Sequence, residues 1–269
     1  MTTAARTLAT LEGYAVEGGF DVRFGPATCY APTTALKRHA ATGDAMELWR
    51  DYEVVVEHAA RLGLGGLCVT LEWARLAPER DIFDEAAARR YEALLREARR
   101  VGLWTTVVVV DAVWPAWAGL EAWLLPWVQP VFVEHAQRLL ERFDEVTNAV
   151  IPFRDAQALI QRGFVDATAP PWRRRASADA RDALANVQGL EQRVRDLHPT
   201  KMVRAYRALD ADGSAAQLRA ARADASLDEV HLRSLVRGVG PTAAKAGLLA
   251  RDGASWRVEA SEELVLAWR

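Results

Sequence analysis

From Ala45 onward, apolar and polar positions follow a regular succession of helical and extended segments. Residues 84–102 predict an amphipathic helix that Asp84 caps at its start and Gly102 ends. Residues 46–63 predict another, ended by Gly63, with a buried stripe of Leu48, Tyr52, Val55, Val56, Ala59 and Leu62.

The segments between these helices are rich in β-branched residues. They are GLCVTLEW (66–73), LWTTVVVVDAV (103–113), EVTNAVIP (145–152) and KMVRAYRAL (201–209). A continuous Val run is typical of a strand buried on both faces, as in a parallel sheet covered by helices. The order of strand then helix therefore predicts an α/β fold, a (β/α) TIM-type barrel, with a doubly wound open sheet as the alternative.

The pattern weakens in the C-terminal third. Residues 214–238 are helical in character, and residues 255–269 predict one or two short strands. That leaves about six strands where a closed barrel of this kind needs eight. We therefore expect a single barrel domain over residues 1–269 that is incomplete or irregular toward its end, with residues 1–19 as a flexible or accessory segment.

Composition narrows the classes of partner. The 269 residues are 51% hydrophobic and carry a net charge of −2, which gives no surplus of cations for nucleic acid or a membrane surface. Cys29 and Cys68 are too few for a disulfide scaffold, and the His residues lack metal-ligand spacing. We expect a cytoplasmic protein that acts on a small-molecule substrate and uses neither a cofactor nor a metal. A homo-oligomer is possible on this sequence.

Four stretches resemble motifs of glycoside hydrolase family 1, the β-glucosidase-like barrels, over about residues 20 to 205. FGPATCYAP (24–32) resembles the first-strand motif W-G-A-A-T-A-x-Y-Q, and LEWARLAP (71–78) resembles I-S-W-x-R-x-x-P. DAVWPAW (111–117) is similar to H-W-D-x-P-x-W, and VTNAVIP (146–152) falls where the family has W-x-T-x-N-E-P. The resemblance implies the family's barrel fold.

The same resemblance implies that the family's catalytic groups are replaced. The acid/base Glu of N-E-P falls on Ile151 and its neighbouring Asn on Val150, while the second-strand Arg falls on Cys68. The nucleophile motif T-E-N-G has no counterpart in the C-terminal third. Because the retaining mechanism needs two carboxyl groups beside the scissile bond, we expect that activity to be absent.

Two carboxylates stand where the family has none. Alternation places Glu72 on the same strand face as Cys68 and Thr70, and Asp111 ends the next strand, so both are predicted at the barrel mouth. We predict that one is a general acid and the other a base. Structural ion pairs, Glu72 with Arg75 or Asp111 with Arg204, are the alternative. The predicted substrate-binding residues are Tyr30, Arg75, Trp114, Trp117, Asn148 and Tyr206.

Three functions remain open. The first is a glycosidase-like barrel repurposed for dehydration, cyclisation or rearrangement of an oxygen-rich small molecule in bacterial specialised metabolism. The second is a divergent glycoside hydrolase, and the third is a non-catalytic barrel that binds a ligand or a partner.

Overall fold

A computed structural model describes residues 4–38, 41–43, 45 and 48–197, and the segments 202–203, 206–210, 229–235, 250–252, 255–257 and 261–267. The strands are β1 (Ala4–Leu11), β2 (Gly66–Thr70), β3 (Trp104–Val110), β4 (Ala149–Phe153), β5 (Met202–Val203), β6 (Tyr206–Asp210), β7 (Glu229–Leu235), β8 (Ala250–Asp252), β9 (Ser255–Arg257) and β10 (Ser261–Ala267). The helices are α1 (Gly13–Val16), α2 (Ala31–Ala35), α3 (Leu48–Arg61), α4 (Trp73–Leu76), α5 (Glu85–Arg100), α6 (Val128–Arg142), α7 (Ala156–Ile160) and α8 (Ser177–Leu197).

Eight strands form one sheet in the order β5-β4-β3-β2-β1-β10-β7-β6. Strands β1 to β5 run parallel, β6 is parallel to β7, and β10 is antiparallel to both of its neighbours. The two edge strands follow each other in the chain. Since Val203 and Tyr206 are three residues apart, their Cα atoms lie within about 11 Å, so the sheet curves back on itself. The predicted barrel is confirmed, and its C-terminal third is irregular.

The two predicted amphipathic helices are confirmed as α3 and α5. The Asp84 side chain accepts hydrogen bonds from the backbone N–H groups of Ala86 and Ala87 at 2.8 and 2.9 Å, which caps α5. Gly63 and Gly102 follow the helices with φ of 72° and 85°, the left-handed conformation that ends a helix. These helices pack their apolar stripes on the outer faces of the parallel strands.

A second apolar cluster is separate from that outer layer. It contains Leu8, Cys68, Val108 and Ile151, one from each of β1 to β4, and all four are buried. Leu8, Cys68 and Val108 lie on parallel strands that are neighbours in the sheet. Ile151 lies opposite Val108 in the register of β3 with β4 and belongs to the same cluster.

The N-terminal segment differs from the prediction. Residues 1–19 were expected to be flexible or accessory, but β1 lies between β2 and β10, with Leu8 and Leu11 buried. Residues 24–32, expected as the first strand, form a turn that leads into α2, held by a bridge between Thr28 and Pro115. Apolar and polar residues alternate only briefly in β1, and the strand is stable because neighbouring strands pair with both of its edges.

The C-terminal predictions are partly correct. The strand predicted at 201–209 is divided into β5 and β6, and residues 229–235 of the predicted helix form β7 instead. The rest of that predicted helix, residues 214–228 and 236–238, lies outside the described residues. The short strands predicted after residue 255 are confirmed as β9 and β10. Within the described part of the chain, no helix is both long enough and apolar enough to cross a membrane.

Candidate functional site

Charged residues follow the carboxyl ends of four parallel strands. Glu12 comes directly after β1, Glu72 lies two residues after β2, Asp111 directly follows β3 and Arg154 directly follows β4. Because the strands are parallel, these ends share one rim of the barrel, where such barrels place their sites. Glu72 and Asp111 were expected at this rim, and Glu12 and Arg154 join them there.

The Glu72 side chain is buried, with the residue only 2% exposed. Its Oε1 accepts a hydrogen bond from the Tyr14 backbone N–H at 2.8 Å. A Cβ atom at Gly13 would lie 2.4 Å from Glu72 Cγ, so this close approach requires glycine. Burial raises the pKa of Glu72 well above its usual value, and the charges of Glu17 and Asp111 act in the same direction. Glu72 therefore keeps its proton at pH values where an exposed glutamate has lost it.

Asp111 lies in a different environment. Its side chain is 21% exposed, and Arg154 Nη1 donates a hydrogen bond to Oδ2 at 3.2 Å. The same nitrogen is 3.2 Å from Glu12 Oε1, and the Glu12 side chain is 43% exposed. One buried guanidinium thus contacts two carboxylates that solvent can reach. Arg204, the alternative partner for Asp111, lies outside the described residues.

Arg75 pairs with Glu17 and not with Glu72. Its Nε donates to Glu17 Oε2 at 2.8 Å and its Nη2 donates to the Gly18 carbonyl at 2.6 Å. The guanidinium also lies against the rings of Phe20 and Trp49, at 4.2 and 4.1 Å from their centres. Arg75 therefore does not form the structural pair with Glu72 that was the alternative to a catalytic role. A buried Arg75 engaged on all these sides does not fit the predicted substrate-binding role either.

Tyr91 links Glu17 to Glu72. Its hydroxyl donates to Glu17 Oε1 at 2.7 Å and accepts a hydrogen bond from the Glu72 backbone N–H at 3.1 Å. Burial raises the pKa of Glu17, while Arg75 and the Tyr91 hydroxyl oppose that rise. Tyr91, Glu17 and Arg75 therefore form a buried hydrogen-bonded layer next to Glu72.

Tyr30 lies against Tyr14 of α1. Its ring stacks on Tyr14 with 5.2 Å between centres, and the edge of Trp172 meets it at the same distance. Burial raises the pKa of Tyr30 to about 12, and the charge of Asp111 adds to that rise. Tyr14 in turn donates its hydroxyl hydrogen to Asp21 Oδ2 at 2.9 Å. An aromatic wall therefore stands beside the acidic groups.

The two tryptophans predicted to bind substrate are used in packing. Trp114 is fully buried and its Nε1–H donates to the Gly119 carbonyl at 2.8 Å. Trp117 is half-buried; its Nε1–H donates to the Ala77 carbonyl at 2.8 Å, and its ring meets Trp73 edge to face. Trp114 packs edge to face against Trp123 and has its indole donor occupied, so its contacts support a packing role. Trp117 has its indole donor occupied.

Asn148 lies at the opposite rim. It precedes β4, and its Oδ1 accepts hydrogen bonds from the Thr105 N–H at 2.9 Å and the Thr105 hydroxyl at 3.0 Å. Those contacts join the amino ends of β3 and β4, a barrel length from Asp111, so its predicted substrate-binding role does not agree with its position. Tyr206, in β6, pairs with Glu229 of β7, and its side chain lies outside the described part of the structure.

The sequence interpretation missed Glu12, Tyr14, Glu17 and Arg154. The first three were overlooked because residues 1–19 were not recognised as a strand and its following turn. Arg154 was overlooked because Pro152 was read as the end of β4, whereas the strand continues to Phe153. A charged residue directly after a buried strand was the signal available in both places. Among the described residues, no group of three or more His, Cys, Asp or Glu side chains could hold a metal ion.

No protein-family model matches the chain, and no curated protein sequence matches it. Solved structures do match. A β-glucosidase from Exiguobacterium marinum aligns with a TM-score of 0.68 and 18% identity, over 80% of this chain and 52% of the other. A β-glucosidase from Thermotoga maritima aligns at 0.67 and 15%, over 76% and 49%. A β-glycosidase from Pyrococcus horikoshii aligns at 0.62 and 19%, over 73% and 47%.

These similarities establish the fold. The chain shares the barrel of glycosidases and spans about half the length of the structures that it matches.

Proposed function

We propose that this barrel catalyses acid/base chemistry on an oxygen-rich small molecule, with Glu72 as the acid and Asp111 as the base. The observation that carries the proposal is the contrast between the two carboxyl groups at the ends of neighbouring strands. Glu72 is buried with a raised pKa, while Asp111 is partly exposed beside a guanidinium. Two carboxyl groups in such different environments are suited to opposite proton-transfer roles.

Dehydration illustrates the chemistry. Glu72 gives its proton to a departing hydroxyl group, and Asp111 removes a proton from the adjacent carbon, so a carbon–carbon double bond forms and water leaves. Glu72 is then ionised and Asp111 protonated. Transfer of that proton back to Glu72 through solvent resets the site. Cyclisation and rearrangement use the same two proton transfers, and bacterial specialised metabolism is the setting in which we place this activity.

The rim supplies surfaces for such a substrate. Tyr30 and Trp172 are both partly exposed and meet edge to face. Aromatic faces of this kind pack well against the C–H face of a sugar-like ring.

A divergent glycoside hydrolase is the second candidate, favoured by a different observation. Glu12 Oε1 and Asp111 Oδ2 are each 3.2 Å from the same nitrogen, so these oxygens are separated by no more than twice that distance. This limit includes the separation of roughly 5 Å between the carboxyl groups of retaining glycosidases. The matching structures are glycosidases, which is consistent with this candidate as well.

The two candidates are separated by one substrate screen. The protein is incubated with a panel of sugars, cyclitols and hydroxylated lactones, and products that have lost water or rearranged are followed by mass spectrometry and NMR. Nitrophenyl glycosides, which release nitrophenol, test hydrolysis. On any accepted substrate we expect Glu72→Gln and Asp111→Asn each to lower kcat by about 100-fold or more.

The exposed positions Glu145 and Asp182 provide matched controls, and E145Q and D182N should keep full activity. Turnover that survives both Glu72→Gln and Asp111→Asn would refute the acid/base assignment. Ligand binding without any turnover would favour the non-catalytic barrel.

A further inference from the structure

Arg154 reaches across the barrel rim. It follows β4, yet its Nη1 contacts Glu12 after β1 as well as Asp111 after β3, and β2 lies between those two strands. Its backbone N–H donates to the Val110 carbonyl at 2.9 Å, which fixes the residue at the end of β3. The side chain is only 1% exposed.

We propose that Arg154 is a positioning residue that holds Asp111 and Glu12 as a facing pair of carboxylates across the barrel mouth. The proposal deepens the proposed function and rests on it, since it takes Asp111 to be the group that meets the substrate. It also assigns Glu12 to the site as a second carboxylate that solvent reaches.

The distribution of exposure supports a positioning role. A buried ion pair contributes little net stability, because desolvation of both charges offsets their attraction. Here the guanidinium of Arg154 is buried, while the side chains of its two partners, Glu12 and Asp111, are 43% and 21% exposed. Stability alone does not call for two carboxylates on one buried guanidinium. The arrangement keeps two like charges close together at a place that solvent reaches.

The shared guanidinium makes the protonation of Asp111 depend on both neighbours. A positive charge in contact favours the ionised carboxylate, and a second carboxylate nearby disfavours it. Carbon-13 NMR of the aspartate side-chain carboxyl groups, with the Asp111 signal assigned through Asp111→Asn, measures this directly. In the folded Arg154→Gln variant we expect the titration midpoint of Asp111 to rise by roughly 1 to 3 pH units.

Two further variants separate charge from packing. Arg154→Lys keeps the positive charge and should restore much of the wild-type midpoint. Arg142→Gln removes another arginine from an ion pair, the one with Glu92 at 2.6 Å, and should leave Asp111 unchanged. A folded Arg154→Gln variant with the wild-type midpoint would overturn the proposal.

Glu12→Gln decides the matter if Arg154→Gln does not fold. Glu12 is partly exposed, so its substitution should leave the barrel intact while it removes one negative charge from beside Arg154 and Asp111. We expect the Asp111 midpoint to fall, and an unchanged midpoint would contradict the shared contact. No substrate is needed for these titrations. The absence of turnover would therefore contradict the proposed acid/base function. Unaltered Asp111 titration midpoints would contradict the positioning role of Arg154.

Discussion

Replacing Glu72 by Gln should make the protein more stable at neutral pH. Glutamine has the same shape, and its Oε1 can still accept the hydrogen bond from the Tyr14 N–H. What the substitution removes is a carboxyl group whose ionisation the fold disfavours, because burial raises its pKa well above 4.5. The unfolded chain carries Glu72 in water with an ordinary pKa.

The sign follows from proton binding. Between the unfolded pKa and the higher folded pKa, the folded protein holds a proton at Glu72 that the unfolded chain releases, so stability falls as pH rises. This stability is fully present below about pH 4.5 and is lost as pH rises through the folded pKa of Glu72. The loss is about 1.4 kcal/mol for each pH unit. From pH 5 to pH 7, the variant should therefore gain up to about 2 to 3 kcal/mol relative to wild type.

Urea unfolding at a series of pH values measures this difference. Glu17 also has a raised pKa and its charge acts on Glu72, so the difference between the two curves reports the loss of Glu72 together with its coupling to Glu17. The exposed substitution Glu145→Gln should follow the wild-type curve throughout. A difference between Glu72→Gln and wild type that does not change from pH 5 to pH 7 would refute the reasoning.

Four further substitutions can be checked by the same urea assay. Asp84→Ala removes the side chain that caps α5 and should cost about 1 kcal/mol. Gly63→Ala should cost about 1 kcal/mol because the φ of Gly63 is 72°. Gly189 lies in α8 with open space around it, so Gly189→Ala should stabilise the protein by about 0.5 to 1 kcal/mol. Equal effects of the two substitutions would contradict this contrast. Tyr91→Phe should cost about 1 to 3 kcal/mol because the buried Glu17 carboxylate loses a donor, and an unchanged stability would show that water replaces the hydroxyl.

The helices and the parallel strands were predictable because their signals are local. The apolar stripe of α5, Asp84 at its start and Gly102 at its end all lie within one segment, and the Val run of β3 reports burial on both faces. Strand β1 was not predictable in this way. Its short alternation resembles many surface segments, and its burial comes from β2 and β10, which are far away in the sequence.

The sequence by itself determined the succession of strands and helices, and with it the rim on which Glu72 and Asp111 lie, since parallel strands place their carboxyl ends together. Only the tertiary structure decided how these acids are partnered. Arg75 pairs with Glu17, and Arg154, which follows β4, contacts both Asp111 and Glu12. Glu72 is buried. The physical reason is that ionic contacts and desolvation depend on distances of a few ångströms between residues far apart in the chain, which no local pattern encodes.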